Sequence, residues 1–112
     1  MKKVEAIVRP AKLNDIKDAL AKYGIKGLTV SEVAGCGAQK GQTGLYRGVQ
    51  YNITLLPKIK LEIVMADDLV DEVVDIIMTT AYTGQVGDGK VFVSPVEQAY
   101  RVRTREQGQS AL

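Results

Sequence analysis

Histidine is absent from this chain, and cysteine occurs once, as Cys36. The lack of histidine removes the commonest general base and metal ligand of proteins. It also leaves Cys36 without an imidazole that could generate a thiolate nucleophile, so the composition argues against hydrolytic enzymes. One cysteine cannot form an internal disulfide bond, which suits a reducing compartment.

Long apolar stretches are absent as well. Glu5 and Arg9 stand where a signal peptide would need uninterrupted apolar sequence, and later apolar runs are broken within a few residues. We therefore expect a cytoplasmic protein without its own membrane anchor. Fifteen Lys and Arg against thirteen Asp and Glu give a net charge of +2, which is too weak to predict nucleic acid or an anionic membrane as a partner.

The length of 112 residues predicts a single domain, because a chain this short buries one core and has no room for a separate catalytic lobe. Any functional site must share that core. Within the domain at 1–112 we expect a long loop at about 36–54, a glycine-rich loop at 82–90 and a C-terminal segment at 99–112.

Alternation of apolar and polar residues indicates four strands. The clearest is the one in which Ile59, Leu61 and Ile63 alternate with charged residues. The expected strands lie at 2–9, 28–33, 58–65 and 91–93, with a further short strand around Tyr100 to Arg103. The segment from Gly35 to Tyr51 shows no periodicity.

Two helices are predicted from apolar residues spaced three to four apart. The first runs from Leu13 to Tyr23 and can end at Gly24. The second includes Val70 to Ala81, with Asp67 as a candidate N-cap. The order βαββαβ predicts an α+β, ferredoxin-like sandwich with an antiparallel sheet and two helices on one face.

The opposite face of this sheet is the basis for an oligomer. Ile7, Val64 and Phe92 occupy alternate positions on three of its strands, which makes that face too apolar to be left in water. A homo-oligomer that covers the face is therefore expected.

The segment from Gly84 to Lys90 fits the letters of a phosphate-binding P-loop, but Val91 replaces the hydroxyl residue that would hold Mg²⁺, and the helix precedes the segment instead of following it. We therefore reject a P-loop. Glycine backbone beside a lysine can still bind an anion. The alternative is a helix cap followed by a turn at 87–89.

Three arginines in the C-terminal segment could add to such an anion site. On a strand, Arg101 and Arg103 would share one side and Arg105 would extend the row, an arrangement able to clamp a polyphosphate. The alternative is a solvated basic tail.

The long loop combines Gln39, Gln42, Lys40 and Arg47 with five glycines, as in a contact element that can rearrange. Composition alone leaves disorder equally open.

Two tyrosines of this region could be anchors at a partner interface or sites of modification: they are Tyr46 and Tyr51. The start of a buried strand is the alternative for Tyr51. For Lys58 and Glu62, which share a strand face, composition offers only a surface ion pair.

Over essentially its whole length, the sequence resembles the PII signal-transduction proteins of the GlnB and GlnK type. Three stretches carry the resemblance: QKGQTGLYRGVQY at 39–51, LPKIKLEIV at 56–64 and TGQVGDGKVFVSPV at 83–96. It implies a homotrimer of ferredoxin-like subunits, with ATP or ADP in the clefts between neighbours and 2-oxoglutarate beside Mg²⁺-ATP. The protein would then be a regulator of nitrogen metabolism and not an enzyme.

The resemblance also implies which residues bind the nucleotide. The base would be held at Ile7, Thr29, Glu62 and Val64. The phosphates would be held at Gly35, Gly37, Gly87, Asp88, Gly89, Lys90, Arg101 and Arg103.

For 2-oxoglutarate, the resemblance implies that Gln39 completes the Mg²⁺ shell and that Lys58 pairs with the effector carboxylate. The backbone around Lys40 and Gly41 would contact the rest of the effector. Without effector, Lys40 would pair with Glu62, so the long loop would switch between shapes. Tyr51 matches the tyrosine that relatives expose for uridylylation or adenylylation.

The sequence departs from the family pattern at several positions. Relatives usually carry an arginine at Ala38, where it touches the terminal phosphate, and acids at Gly44 and Gln50. Val49 and Cys36 are also unusual. These departures motivate an alternative, a divergent adenine-nucleotide sensor with another effector or a weakened response to ATP and 2-oxoglutarate.

Two other classes fit poorly. An RNA-binding ferredoxin-like module needs stacking aromatics on the sheet, where Phe92 stands alone, and no residue is evidently poised as the base of an acylphosphatase-like enzyme. The partners that the resemblance implies are an Amt-type ammonium channel, the adenylyltransferase of glutamine synthetase, a nitrogen-regulatory histidine kinase and N-acetylglutamate kinase. The channel would recruit the protein to the inner membrane.

Overall fold

A computed structural model describes residues 1–36 and 55–112 in full and, between them, the strand backbone at 43–46 and 49–52. Two helices and six strands are present in these parts. They are β1 Lys2–Val8, α1 Leu13–Tyr23, β2 Thr29–Gly35, β3 Thr43–Tyr46, β4 Val49–Asn52, β5 Leu56–Met65, α2 Val70–Ala81 and β6 Gly89–Pro95.

Four of the strands form one antiparallel sheet in the order β2-β5-β1-β6. The central strand β1 pairs with β5 on one side and with β6 on the other, so Ile7 lies opposite both Lys60 and Lys90. This topology, with one helix after β1 and one after β5, confirms the predicted ferredoxin-like α+β fold.

The core lies between the sheet and both helices. Alternate residues of β1 and β5 are buried together with the apolar stripes of α1 and α2, as the two periodicities predict. The largest fully buried side chains are Ile16, Leu20, Leu61, Ile77, Val4, Val8 and Val73. Burying each leucine or isoleucine stabilises the fold by roughly 1.5–3 kcal/mol.

The end of α1 follows the prediction, whereas the start of α2 does not. Gly24 adopts φ 114° and donates its amide to the last turn of α1. Asp67 was expected to cap α2, but it begins a short 3-10 turn, and its carboxylate lies 3.0 Å from the amino group of Met1. That hydrogen bond lowers the pKa of Asp67. Asp67 is therefore not the N-cap of α2, which begins at Val70 after this turn.

The outer face of the sheet is more polar than expected. Ile7 and Val64 are half-buried there and Phe92 is 51% exposed, but ion pairs run between them. In this chain of ion pairs Lys3 lies 3.6 Å from Glu62, Glu62 lies 3.5 Å from Lys60, and Lys60 lies 3.8 Å from Glu5.

Two segments differ from their sequence predictions. The region expected as a loop at about 36–54 contains the hairpin β3–β4, in which Gly44 lies opposite Tyr51. The predicted strand at Tyr100 to Arg103 is a turn, with one isolated bridge from Tyr100 to Gln107. The side chains of Arg101, Arg103 and Arg105 are therefore not aligned along a strand. Neither described helix is long and apolar enough to cross a membrane.

Replacing Gly89 by alanine should destabilise the fold more than replacing Gly24. Both glycines have nearly the same positive φ, 111° and 114°, but a Cβ on Gly89 would lie 1.8 Å from the carbonyl oxygen of Ile7, whereas one on Gly24 would meet nothing within 4 Å. We expect Gly24→Ala to cost about 1–2 kcal/mol and Gly89→Ala roughly 1–3 kcal/mol more, because β6 must move from β1. Urea unfolding at a fixed protein concentration measures both, and equal losses would contradict the close approach.

Replacing Arg105 by glycine should stabilise the protein. Among described residues, Arg105 is the non-glycine residue with positive φ, 61°. A left-handed conformation costs an L-residue about 1–2 kcal/mol, of which the entropy of glycine cancels part, so the net gain should be about 0.5–1 kcal/mol. The control is Arg103→Gly in the same turn, which should destabilise. An Arg105→Gly variant with a lower urea midpoint than wild type would contradict the assignment.

Candidate functional site

A groove of about 330 Å³ opens at one end of the sheet, beside the loop before β6. It is bounded by the ends of β1, β2 and β5 and by the start of β6. Six residues that the sequence assigned to ligands line it together: Ile7, Gly35, Lys58, Gly87, Gly89 and Lys90. Residues far apart in the chain therefore meet at one surface.

The loop from Thr83 to Asp88 is folded around the Asp88 carboxylate. Its oxygens accept the Thr83 amide at 2.7 Å and the Gly84 amide at 3.0 Å, and they also accept the Thr83 hydroxyl. These bonds, with a contribution from Arg9, hold the pKa of Asp88 well below its usual range. The carboxylate therefore stays charged and organises the loop from inside.

Two cations attach the loop to the sheet. Arg9, just beyond β1, donates Nε to Asp88 Oδ1 at 3.1 Å and Nη2 to the Val86 carbonyl at 2.9 Å. Lys58 of β5 donates Nζ to the Gly87 carbonyl at 2.8 Å. Successive carbonyls of the loop are thus bonded to side chains from two different strand ends.

Burial and two charged neighbours act on the pKa of Lys58. Partial burial lowers the pKa of Lys58, and the neighbouring Arg9 charge lowers it further, whereas Asp88 acts in the opposite direction. Arg9 and Lys58 carry two positive charges against the single negative charge of Asp88. The excess of positive charge makes this end of the groove favourable for an anion.

The backbone geometry accounts for the glycines. Gly84, Gly87 and Gly89 all have positive φ. Gly89 additionally needs the absence of a Cβ, because its backbone lies against the carbonyl of Ile7. The alternative of a helix cap followed by a turn at 87–89 is correct only in part, because α2 ends at Ala81 with an extended Tyr82, the turn lies at 86–87, and Gly89 already begins β6. Gly87 and Gly89 both line the groove.

Other predicted base and phosphate ligands lie outside the groove lining. Thr29, Glu62 and Val64 sit on the outer face of the sheet, where Thr29 pairs in register with Glu62. The carboxylate of Glu62 is bonded to Lys3 and Lys60.

The C-terminal arginines are also separate from the groove. Arg101 donates Nη1 to Glu106 at 3.3 Å and Nη2 to the Leu112 carbonyl at 3.0 Å. Arg103 and Arg105 are exposed in the same turn. The described part of one chain therefore does not bring Arg101 and Arg103 together with Lys90 in the groove lining.

Several predicted residues cannot be placed. Gly37, Gln39, Lys40, Gly41 and Arg47 lie outside the described residues. Tyr46 and Tyr51 are described only as backbone positions of the β3–β4 hairpin, so their roles remain predictions.

The predicted Mg²⁺ has no protein-only site in the described chain, since the described residues contain no group of three His, Cys, Asp or Glu able to hold a metal ion. The resemblance assigns Gln39 to this ion, and Gln39 lies outside the described residues.

Sequence reasoning missed the contacts of two residues. It gave Arg9 no role in the site, and it named Asp88 only as a phosphate contact. The motif GDG gave a signal for Asp88, because aspartate in a glycine turn commonly bonds nearby amides. No local signal pointed to Arg9, which is 79 positions away from its partner.

Comparison with known proteins identifies the family. The family model described as Nitrogen regulatory protein P-II matches residues 1–106. A protein named Nitrogen regulatory protein P-II from Azospirillum brasilense is 53% identical over 112 residues, with all of both chains covered. Nitrogen regulatory protein P-II 1 of Escherichia coli strain K12 is 54% identical with the same coverage.

These names describe regulatory proteins, in agreement with the prediction of a regulator and not an enzyme. The resemblance drawn from three sequence stretches is confirmed over nearly the whole chain. The chain therefore belongs to the P-II family of nitrogen regulatory proteins.

Proposed function

We propose that this protein senses adenine nucleotide and 2-oxoglutarate and reports both to target proteins of nitrogen metabolism. ATP and ADP would compete for one site, and 2-oxoglutarate would bind with Mg²⁺-ATP. The observation that carries the proposal is the groove, in which six ligand positions expected from the sequence come together.

The groove has the chemistry that a nucleotide needs. Gly87 and Gly89 present backbone that a phosphate can approach closely, and Lys90 supplies a positive charge beside them. Ile7 and Phe92 provide apolar surface on the same lining for a base. Polar and apolar parts of a nucleotide could thus be bound together.

Lys58 lies where an effector carboxylate would meet the phosphate loop. Lys58 lines the groove, and its ammonium group donates to the Gly87 carbonyl. A carboxylate bound to Lys58 would therefore lie close to nucleotide phosphates, which favours joint binding through a shared Mg²⁺. In this arrangement Gln39 would be the protein ligand of the ion.

A homotrimer is proposed because one described chain holds only part of the site. Lys90 and the glycine loop line the groove, while Arg101, Arg103 and Glu62 lie elsewhere. A closed ring of three identical chains can place the second group of one subunit against the groove of its neighbour. The exposed Phe92 on the sheet face would be covered in the same assembly.

The output would be the long loop at about 36–54. Tyr46 and Arg47 would contact partners, Tyr51 would be the site of nucleotidylation, and the protein would act in the cytoplasm. Ligand binding need supply only about 1–3 kcal/mol of coupling to shift the loop between two populations. Candidate targets are an Amt-type ammonium channel, the adenylyltransferase of glutamine synthetase, a nitrogen-regulatory histidine kinase and N-acetylglutamate kinase. The channel would recruit the protein to the inner membrane.

Isothermal calorimetry tests the nucleotide site. We expect wild type to bind ADP and Mg²⁺-ATP, with 2-oxoglutarate binding only when Mg²⁺-ATP is present. Lys90→Gln should weaken both nucleotides by at least about tenfold, because a charge-assisted contact to phosphate is lost. Lys12→Gln, outside the groove, is the matched control. Equal affinities for wild type and Lys90→Gln would contradict the assignment.

A substitution in the long loop tests the balance between ATP and ADP. Ala38→Arg should tighten ATP binding by roughly tenfold or more, and ADP binding less, because the added guanidinium would contact the terminal phosphate. Calorimetry on both nucleotides measures the ratio. An equal gain for both, or no gain, would contradict this prediction. ATP binding by wild type without any response to 2-oxoglutarate would favour the divergent-sensor alternative.

A further inference from the structure

We propose that Arg9 is a positioning residue of the nucleotide site, which fixes the direction of loop amides without touching the nucleotide. This inference rests on the proposed function and adds to it a residue that the family comparison does not assign. Arg9 is absent from the described lining of the groove, so its effect on a ligand has to pass through the loop.

The contacts of Arg9 are suited to that role. Its Nε bonds to Asp88 Oδ1 at 3.1 Å and its Nη2 bonds to the Val86 carbonyl at 2.9 Å. Both side chains of the Arg9–Asp88 ion pair are partly buried, 23% and 22% exposed. The planar fork of arginine can make both bonds at once, whereas a lysine ammonium cannot reproduce that geometry.

Holding a carbonyl also orients an amide. In a trans peptide the C=O and the following N–H point in opposite directions. The bond from Arg9 to the Val86 carbonyl therefore fixes the direction of the Gly87 N–H, at a residue that lines the groove. The bond from Lys58 to the Gly87 carbonyl acts in the same way on the next peptide.

The loop needs such restraint because glycines dominate it. Gly84, Gly87 and Gly89 have positive φ, and glycine loses more conformational freedom on ordering than any other residue. An anion site whose amides are already oriented avoids that loss when the ligand binds. Arg9 and the Asp88 carboxylate, neither of which lines the groove, provide that orientation.

The first test compares nucleotide affinity in Arg9 variants of the full-length protein. We expect Arg9→Met to weaken ADP and Mg²⁺-ATP by a similar factor of about ten, because both nucleotides use the same loop. Arg9→Lys should recover part of the loss, since it keeps the charge but not both bonds. Lys12→Met is the matched control and should bind as wild type does.

A double-mutant cycle separates positioning from a general charge effect. Asp88→Asn removes the ionic partner of Arg9. The loss of binding free energy in the double variant should therefore be clearly smaller than the sum of the losses in Asp88→Asn and Arg9→Met. Full additivity, or wild-type affinity in Arg9→Met, would overturn the proposal. The same holds if Arg9→Lys binds no better than Arg9→Met.

Hydrogen exchange in the nucleotide-free protein gives a readout that is independent of ligand. Arg9→Met should accelerate exchange of the Thr83 and Gly84 amides, which are bonded to Asp88, while amides of α1 keep their wild-type rates. Uniform acceleration throughout the protein would mean a merely structural role and would overturn positioning. If wild type binds neither nucleotide yet the loop amides respond to Arg9→Met, the proposed function fails, and the link between Arg9 and the loop is still measured.

Discussion

The close approach of Gly89 to the Ile7 carbonyl determines where the site can form. Because no Cβ intervenes, β6 begins directly against β1, and Lys90 then pairs in register with Ile7. Ile7 of β1 and Gly89 and Lys90 of β6 then line the groove together. The contact that sets the start of β6 is therefore made by residues that also line the groove.

The second determinant is the charge of Asp88. An aspartate beside a bound anion is unfavourable if its carboxylate faces that anion. Here the carboxylate is turned into its own loop, where it accepts amides of Thr83 and Gly84 and pairs with Arg9. Its negative charge is neutralised locally, and Lys58 and Lys90 remain on the groove side.

Elements with strong periodicity were predictable from the sequence. The three-to-four spacing from Leu13 to Tyr23 and the alternation around Leu61 each report a single buried face, and the structure buries those faces. The failures have another cause. Asp67 pairs with the Met1 amino group, which is distant in sequence, and does not cap α2. The stretch after Tyr100 forms a turn in which Arg101 bonds to Glu106.

In the candidate site too, residues marked by local motifs were predictable from the sequence, whereas a contact between distant residues was not. Motif glycines and lysines mark groups that need special backbone or charge, so Gly87, Gly89 and Lys90 were identifiable from local sequence. The contribution of Arg9 depends on a contact across most of the chain and needed the structure. The β3–β4 hairpin was missed because the glycines at 41, 44 and 48 interrupt the alternation before it, within β3 and between its strands.

The central claim is that one nucleotide site is assembled from two subunits, with Lys90 from one and Arg101 from its neighbour. Co-refolding equal amounts of Lys90→Gln and Arg101→Gln chains tests it most directly, using calorimetric titration with ADP. Each variant alone should lack tight sites. Random mixing in a trimer should restore wild-type affinity at about a quarter of the sites, where an unaltered Lys90 meets an unaltered Arg101. Mixed assemblies without any tight site would contradict the account.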